Sequence, residues 1–304
     1  MRERFCPTET LKGMRDTSHI IFLVMTCLAF FSCENPAQEL EEETVSIVGD
    51  GGDRVEFHIS GLNVGAYEGE PSPSLGIVQS CSRLNFAIFS GPTRLKVVNQ
   101  TAESPGFGNV RLEISPGTYD IVVLAHNGLG NASISSPEQI KFKDNKVTDT
   151  FYYYGTVNIT GAASYDIALT RAVAKCRISI KDHFPSAVAL MRFKYTGGSS
   201  TFNAVTGYGC VNSRQTEERS ILAPDENGTT SFDLFTFPHN NDDLLNITVM
   251  ALNANGDILY SRVIDDVLVN INRQTTCDGN LFGTDGNASE DGDFIVTTHD
   301  ELLE

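Results

Sequence analysis

Val110-Arg111-Leu112-Glu113-Ile114-Ser115-Pro116-Gly117-Thr118-Tyr119-Asp120-Ile121-Val122-Val123-Leu124 decides the fold class. Apolar and polar residues alternate from Val110 to Ile114, stop at Ser-Pro-Gly, and give way to a second apolar-rich run from Tyr119 to Leu124. Successive side chains leave a strand on opposite faces, so a period of two marks a half-buried strand. The break predicts a tight turn, with Pro116 presetting φ at the first corner and Gly117 accepting a positive φ at the second. The segment therefore reads as a β-hairpin.

The same rhythm recurs on both sides of this stretch. Val55-Glu56-Phe57-His58-Ile59-Ser60 and Leu84-Asn85-Phe86-Ala87-Ile88-Phe89 alternate, the latter ending before Gly91-Pro92, and Phe151-Tyr152-Tyr153-Tyr154 opens another run. Ala189 to Tyr195 stops at Gly197-Gly198-Ser199-Ser200. Leu245 to Leu252 and Ile258 to Val263 flank Asn253-Ala254-Asn255-Gly256-Asp257, and an Asn-Gly pair between alternating runs is a strong hairpin signal. Val267 to Ile271 and Phe294 to Thr298 supply late strands. Helical periodicity is missing, so the chain reads as all-β, with two β-sandwich domains in tandem. Between Ile167 and Ile180 the alternation changes phase: Ile167, Leu169 and Val173 share one parity, and Ala174, Cys176, Ile178 and Ile180 share the other. Such a shift marks a bulge or a change of sheet. It places the domain boundary at Ala168, giving an N-terminal domain 44–167 and a C-terminal domain 168–304.

Cys33 closes a short apolar run, Ile20 to Ser32, that Arg15 precedes. The run is too short for a helix crossing about 30 Å of hydrocarbon, which takes about 20 residues. It fits the apolar region of a signal peptide, and Met14 would give a more compact start than Met1. Ser32-Cys33 is what a lipoprotein signal peptidase reads, so residues 1–32 are expected to be a lipoprotein signal peptide and Cys33 the lipidated N-terminus of the mature chain. The plainer alternative is secretion with cleavage near Ser32 and no lipid. Residues 33–43 then form an acidic tether to a membrane. The chain has net charge −17 and no Trp. Beyond Ser32 it carries 18 Lys and Arg against 36 Asp and Glu, a balance that excludes nucleic acid as a direct partner. Cys81, Cys176, Cys210 and Cys277 are widely spaced, have no zinc pattern, and in an exported protein allow up to two disulfides.

The search for chemistry returns no catalytic set. His19, His58, His126, His183, His239 and His299 are scattered, and Val48-Gly49-Asp50-Gly51-Gly52-Asp53 lacks the Lys-Ser/Thr of a phosphate loop. Asp285-Gly286-Asn287-Ala288-Ser289-Glu290-Asp291-Gly292-Asp293 begins like a calcium loop but has neither Gly at the sixth place nor Glu at the twelfth. The sequence thus predicts no enzyme, no metal and no cofactor.

Several segments carry a resemblance. They are Ala168-Leu169-Thr170-Arg171-Ala172-Val173-Ala174-Lys175, Tyr195-Thr196-Gly197-Gly198-Ser199-Ser200-Thr201-Phe202-Asn203, Thr206-Gly207-Tyr208-Gly209, and Asn270 to Phe282. Together with Ser115 to Asp120 and the segment around Cys33, they make the chain resemble the FimB-like fimbrillin-associated anchor subunits of Bacteroidales. The resemblance implies two transthyretin-like β-sandwiches and a surface-exposed, palmitate-bearing lipoprotein of the outer membrane. It also implies that the protein anchors or terminates a fimbrium through strand exchange with other fimbrial structural subunits. In that reading Glu43 to Val48 fills the groove of its own domain, and Phe294, Ile295, Val296, Thr297 and Thr298 form the exchanged strand. The rival functions are a surface glycan-binding lipoprotein, which the absence of Trp disfavours, and an adhesin at the fibre tip.

Overall fold

The computed structural model describes residues 45–46, 52–63, 76–221, 229–283 and 294–298. The signal segment, Cys33, the acidic tether and the 285–293 loop lie outside the described residues. The all-β expectation holds: among the described residues a single helical turn, α1 (Ile77–Ser80), and a 3-10 turn at Lys143–Asn145 accompany twenty strands.

In spatial order the largest sheet runs β1 (Val45–Ser46), β5 (Asn109–Ile114), β2 (Asp53–Asn63), β10 (Ala163–Arg171), β9 (Thr150–Ile159), β6 (Gly117–His126), β3 (Arg83–Ser90) and β4 (Thr93–Thr101). Only two residue pairs, Thr170 with Tyr152 and Arg171 with Phe151, join β10 to β9. The sheet folds over at that seam into two layers of four. Val55, Phe57, Leu112 and Ile167 from one layer meet Leu84, Phe86, Ile121 and Val123 from the other in a single core, with the Phe57 and Phe86 rings 5.0 Å apart.

A second sandwich follows. One layer is β16 (Thr230–Thr236), β11 (Ala174–Ile180), β19 (Gln274–Gly279) and β20 (Ile295–Thr298). The other is β15 (Gln215–Ser220), β12 (Leu190–Thr196), β17 (Asp243–Leu252) and β18 (Ile258–Val269). Cys176, Ile178, Leu234 and Cys277 pack against Met191, Phe193, Ile247 and Val249 between them.

The two sandwiches repeat one topology. In the first, the opening strand β2 is antiparallel to β5 and parallel to β10, while β4, β3, β6 and β9 form the facing layer. In the second, β11 is antiparallel to β16 and parallel to β19, while β15, β12, β17 and β18 face them. Each sandwich also sends out a short excursion. β7 (Ser133–Ser136) and β8 (Gln139–Lys141) leave the first, and β13 (Thr201–Asn203) and β14 (Tyr208–Gly209) leave the second. β8 pairs with β13, so the excursions make one shared sheet. Beneath it Phe142, Phe202 and Phe237 cover the outer faces of β3 and β6, where Ala87, Phe89, Val122 and Leu124 point. This is why β3 is buried from Leu84 to Phe89 without alternation: both of its faces are covered.

The opening stretch needs a correction. β5 and β6 are strands as expected, but they do not pair and lie in opposite layers. Ser115-Pro116-Gly117 is an arch, so the apolar faces of β5 and β6 meet across the core instead of lying side by side. Gly117 is not among the positive-φ residues. It is required for close approach: the Tyr119 ring folds back so that its hydroxyl donates to the Ser115 carbonyl at 2.9 Å, and a Cβ at 117 would stand 2.9 Å from that hydroxyl. The second predicted hairpin is real, with β17 and β18 paired across a turn in which Gly256 has φ +89. The phase change resolves into both of its causes. Register shifts between Ile167 and Ala168, and the chain passes from the first sandwich into the second between Arg171 and Ala174.

Candidate functional site: the sheet edges

A sandwich exposes its chemistry at its edges, where main-chain N–H and C=O groups have no partner strand. Most edges here are guarded. Arg94 on β4 donates to the Ile134 carbonyl of β7 at 2.6 Å, which ties β7 alongside that edge. β15 reads Gln215-Thr216-Glu217-Glu218-Arg219-Ser220 and carries ion pairs from Arg219 to Glu217 (2.6 Å) and from Arg192 to Glu218 (2.7 Å). The Phe235 carbonyl on β16 accepts from the Tyr195 hydroxyl of the facing layer at 3.2 Å.

The candidate exchange residues lie at a less protected edge. Phe294 precedes β20, and Ile295, Val296, Thr297 and Thr298 form it, antiparallel to β19 within the chain's own sheet. Phe294 packs over Gly279, where an added Cβ would stand 2.8 Å from the ring. Ile295 is 69% exposed. Val296 pairs with the core residue Cys277 and so turns inward, yet it remains 38% exposed. In the first sandwich β1 pairs in parallel with β5, Val45 opposite Leu112. β1 and β20 have no counterparts in the repeated seven-strand topology. Each adds one strand to the edge of a sandwich that is already complete.

The buried polar groups are structural. The His126 ring is shielded from solvent; its Nε2 donates to Asn85 Oδ1 at 2.9 Å and its Nδ1 accepts from the Gly128 N–H at 3.0 Å. Burial, aided by the Arg83 charge, pushes its pKa down to about 4, which keeps the ring neutral. Arg83 donates to the Gly128 and Leu129 carbonyls, so the β6–β7 loop is held by a built network. Where β16 pairs with β11, burial raises the Asp233 carboxyl of β16, but hydrogen bonds from Arg177 and the charges of Lys175 and Arg177 on β11 outweigh it and hold the pKa below the usual range. Cys81, Cys176, Cys210 and Cys277 are free thiols, with Cys176 Sγ and Cys277 Sγ 3.8 Å apart in the core. Burial pushes Cys81 up to about 12. Sequence reasoning passed over His126 because one buried histidine inside an otherwise apolar strand leaves no spacing signal.

No group of three or more His, Cys, Asp and Glu that could hold a metal occurs among the described residues. No helix among them is long and apolar enough to cross a membrane. What the arrangement offers is main-chain hydrogen bonding at strand edges.

Among solved structures the chain is similar to the fimbrial anchor protein Mfa2 from Porphyromonas gingivalis, at 10% identity and TM-score 0.46, covering 83% of this chain and 99% of that one. It is also similar to a "putative cell adhesion protein" from Bacteroides eggerthii, at 11% identity and TM-score 0.47, covering 83% and 97%. No curated protein matches the chain. The model of one family, described as a family of unknown function (DUF6562), matches residues 109–294, more than half of the sequence, and the chain belongs to that family.

Proposed function

We propose that the protein is a cell-surface lipoprotein subunit of a fimbrium, tethered to the outer membrane through lipid on Cys33 and joined to a neighbouring subunit by strand exchange. The observation that carries this reading is β20. It is four residues long, pairs on one side only, buries little, and lies outside the topology that both sandwiches share. Such a strand can leave one β19 edge for another at small cost to the core, and the receiving sheet gains a ladder of main-chain hydrogen bonds. The apolar run ending in Ser32-Cys33 and the acidic tether after it support attachment by lipid. No step of this function needs a reactive side chain.

Cys33→Ala tests the tether: the variant should move from the membrane to the soluble fraction, and unchanged fractionation would sink the lipid anchor. Deleting residues 294–304 tests the exchange. Cells carrying the truncated chain should shed fibres into the medium, and full retention of fibres would rule out β20 as the joining strand.

A further inference from the structure

Gly279 closes β19, yet its backbone does not call for glycine, since it is not among the residues with positive φ. It is buried, and its carbonyl accepts from the Lys181 N–H at 2.9 Å, so the end of β11 holds it from one side. What requires the missing side chain lies on the other side. A Cβ here would stand 2.8 Å from Cγ and Cδ1 of Phe294 and 3.0 Å from its Cα. Glycine inside a strand weakens it, and one of its uses is to let another segment approach closely. Gly279 makes a seat for an aromatic ring.

The seat is fixed from behind. The Asp182 carboxylate accepts from the backbone N–H groups of Leu281, Phe282 and Gly283, which follow the seat in the chain. The buried Phe282 ring meets Phe184 edge-on at 4.9 Å and Tyr260 at 5.1 Å. β20 takes no part in these contacts. Phe294, in turn, is what ties its strand to the core. Of Phe294, Ile295 and Val296, only Phe294 packs on the core of the second sandwich, whereas Ile295 and Val296 are 69% and 38% exposed. The ladder beyond it runs from Asp278 opposite Ile295 to Thr275 opposite Thr298. A slip of one residue would turn the ring to the other face of the sheet. A slip of two would set it against the Cys277 side chain in place of the glycine.

We infer that Gly279 is the specificity-determining position of the β19 edge. A strand that occupies this edge must run antiparallel to β19 and place an aromatic residue opposite Gly279, with a β-branched residue two places on, where Val296 faces Cys277. The inference rests on the strand exchange proposed above and adds the chemistry of the strand exchanged. The segment of a neighbouring subunit that replaces β20 carries the ring, and segments without it are rejected.

The test uses the full chain and two labelled peptides of about nine residues, a common strand length. One peptide copies residues 292–300, and the other differs from it only by Phe294→Ala. The acceptor is the full chain with Phe294→Ala, whose own strand has lost its ring and competes weakly for the edge. The peptide with Phe should raise its fluorescence anisotropy on binding and protect amide hydrogens between Thr275 and Asp278 from exchange. The peptide with Ala should bind at least ~10-fold more weakly, as expected for the loss of a half-buried Phe side chain. Adding Gly279→Ala to the acceptor fills the seat and should abolish the preference. Both peptides meet one acceptor, so any loss of stability in that variant affects them equally. The unaltered chain gives a second readout: exchange at Ile295 to Thr298 should be at least ~10-fold slower than in Phe294→Ala. Equal binding of the two peptides along β19 would leave strand exchange standing and overturn the seat. A preference that survives Gly279→Ala, or equal exchange rates with and without the ring, would also overturn it. Binding of neither peptide would overturn the exchange and the seat together.

Discussion

Replacing Arg171 with Leu is expected to cost the fold about 3 kcal/mol. Arg171 ends β10, is buried, and spans the crossing from the first sandwich to the second. Its Nε and one terminal nitrogen donate to the two oxygens of Asp149 at 2.7 and 2.9 Å, and another reaches Asn272 Oδ1 at 3.0 Å. Its guanidinium carbon also sits 4.8 Å from the Phe151 ring centroid. Breaking a buried pair by removing one partner costs roughly 3–5 kcal/mol, because the other charge is left uncompensated. Asp149 retains 23% side-chain exposure and can recover some hydration, which places the effect at the low end of that range. Arg171→Lys keeps the charge but loses the two-pronged geometry, and should cost about half as much. Urea unfolding followed by circular dichroism gives both numbers, and Arg171→Leu with Asp149→Leu completes a double-mutant cycle. A loss below about 1 kcal/mol for Arg171→Leu would refute the reasoning, since that is the worth of an exposed pair.

His126 makes the protein acid-sensitive. The folded-state pKa of about 4 lies below the unfolded value near 6.5, so the unfolded chain binds more protons between them. This contribution is fully present above pH 6.5 and is lost as pH falls toward 4, the loss amounting to about 3 kcal/mol by the end. His126→Gln should flatten that part of the stability–pH curve, and an unchanged slope would show that the ring does not set it. Gly197 has φ +102, and a Cβ there would run into the Leu244 carbonyl. Gly197→Ala should therefore cost about 3 kcal/mol or more, read as a fall in thermal midpoint. Phe202→Ala, which empties the centre of the shared apolar layer, should cost about 3–5 kcal/mol in urea unfolding. Finally, thiol titration of the denatured protein under non-reducing conditions should detect Cys81, Cys176, Cys210 and Cys277 as free, whereas a loss of two would mean that a disulfide forms.

The strands were legible in the sequence because their cause is local. Val55, Phe57 and Ile59 alternate with polar neighbours, and the structure buries them on one face. The Asn255-Gly256 hairpin was legible for the same reason: a positive φ at Gly256 is a property of the turn itself. Pairing was not local. Ser115-Pro116-Gly117 looks the same whether the next strand turns back beside β5 or crosses to the facing layer. The deciding contact is the Tyr119 hydroxyl on the Ser115 carbonyl. The shared layer of β7, β8, β13 and β14 escaped notice because its strands are two to four residues long, too short for a period to show. Of the candidate site, the strand Ile295 to Thr298 was visible as an apolar, β-branched run. Which strand β19 takes as its second neighbour was not, because that pairing is settled by tertiary packing and not by local pattern.

That choice is what separates the two sandwiches. Seven strands in one order make a closed flank when the last strand reaches back to the sixth, as β10 does to β9 over two residue pairs. The second sandwich has the same seven strands, but β20 takes the second side of β19, and among the described residues the ladder of β18 is with β17. The two cores are built alike from inward-facing apolar residues on both layers, so core packing does not require this difference.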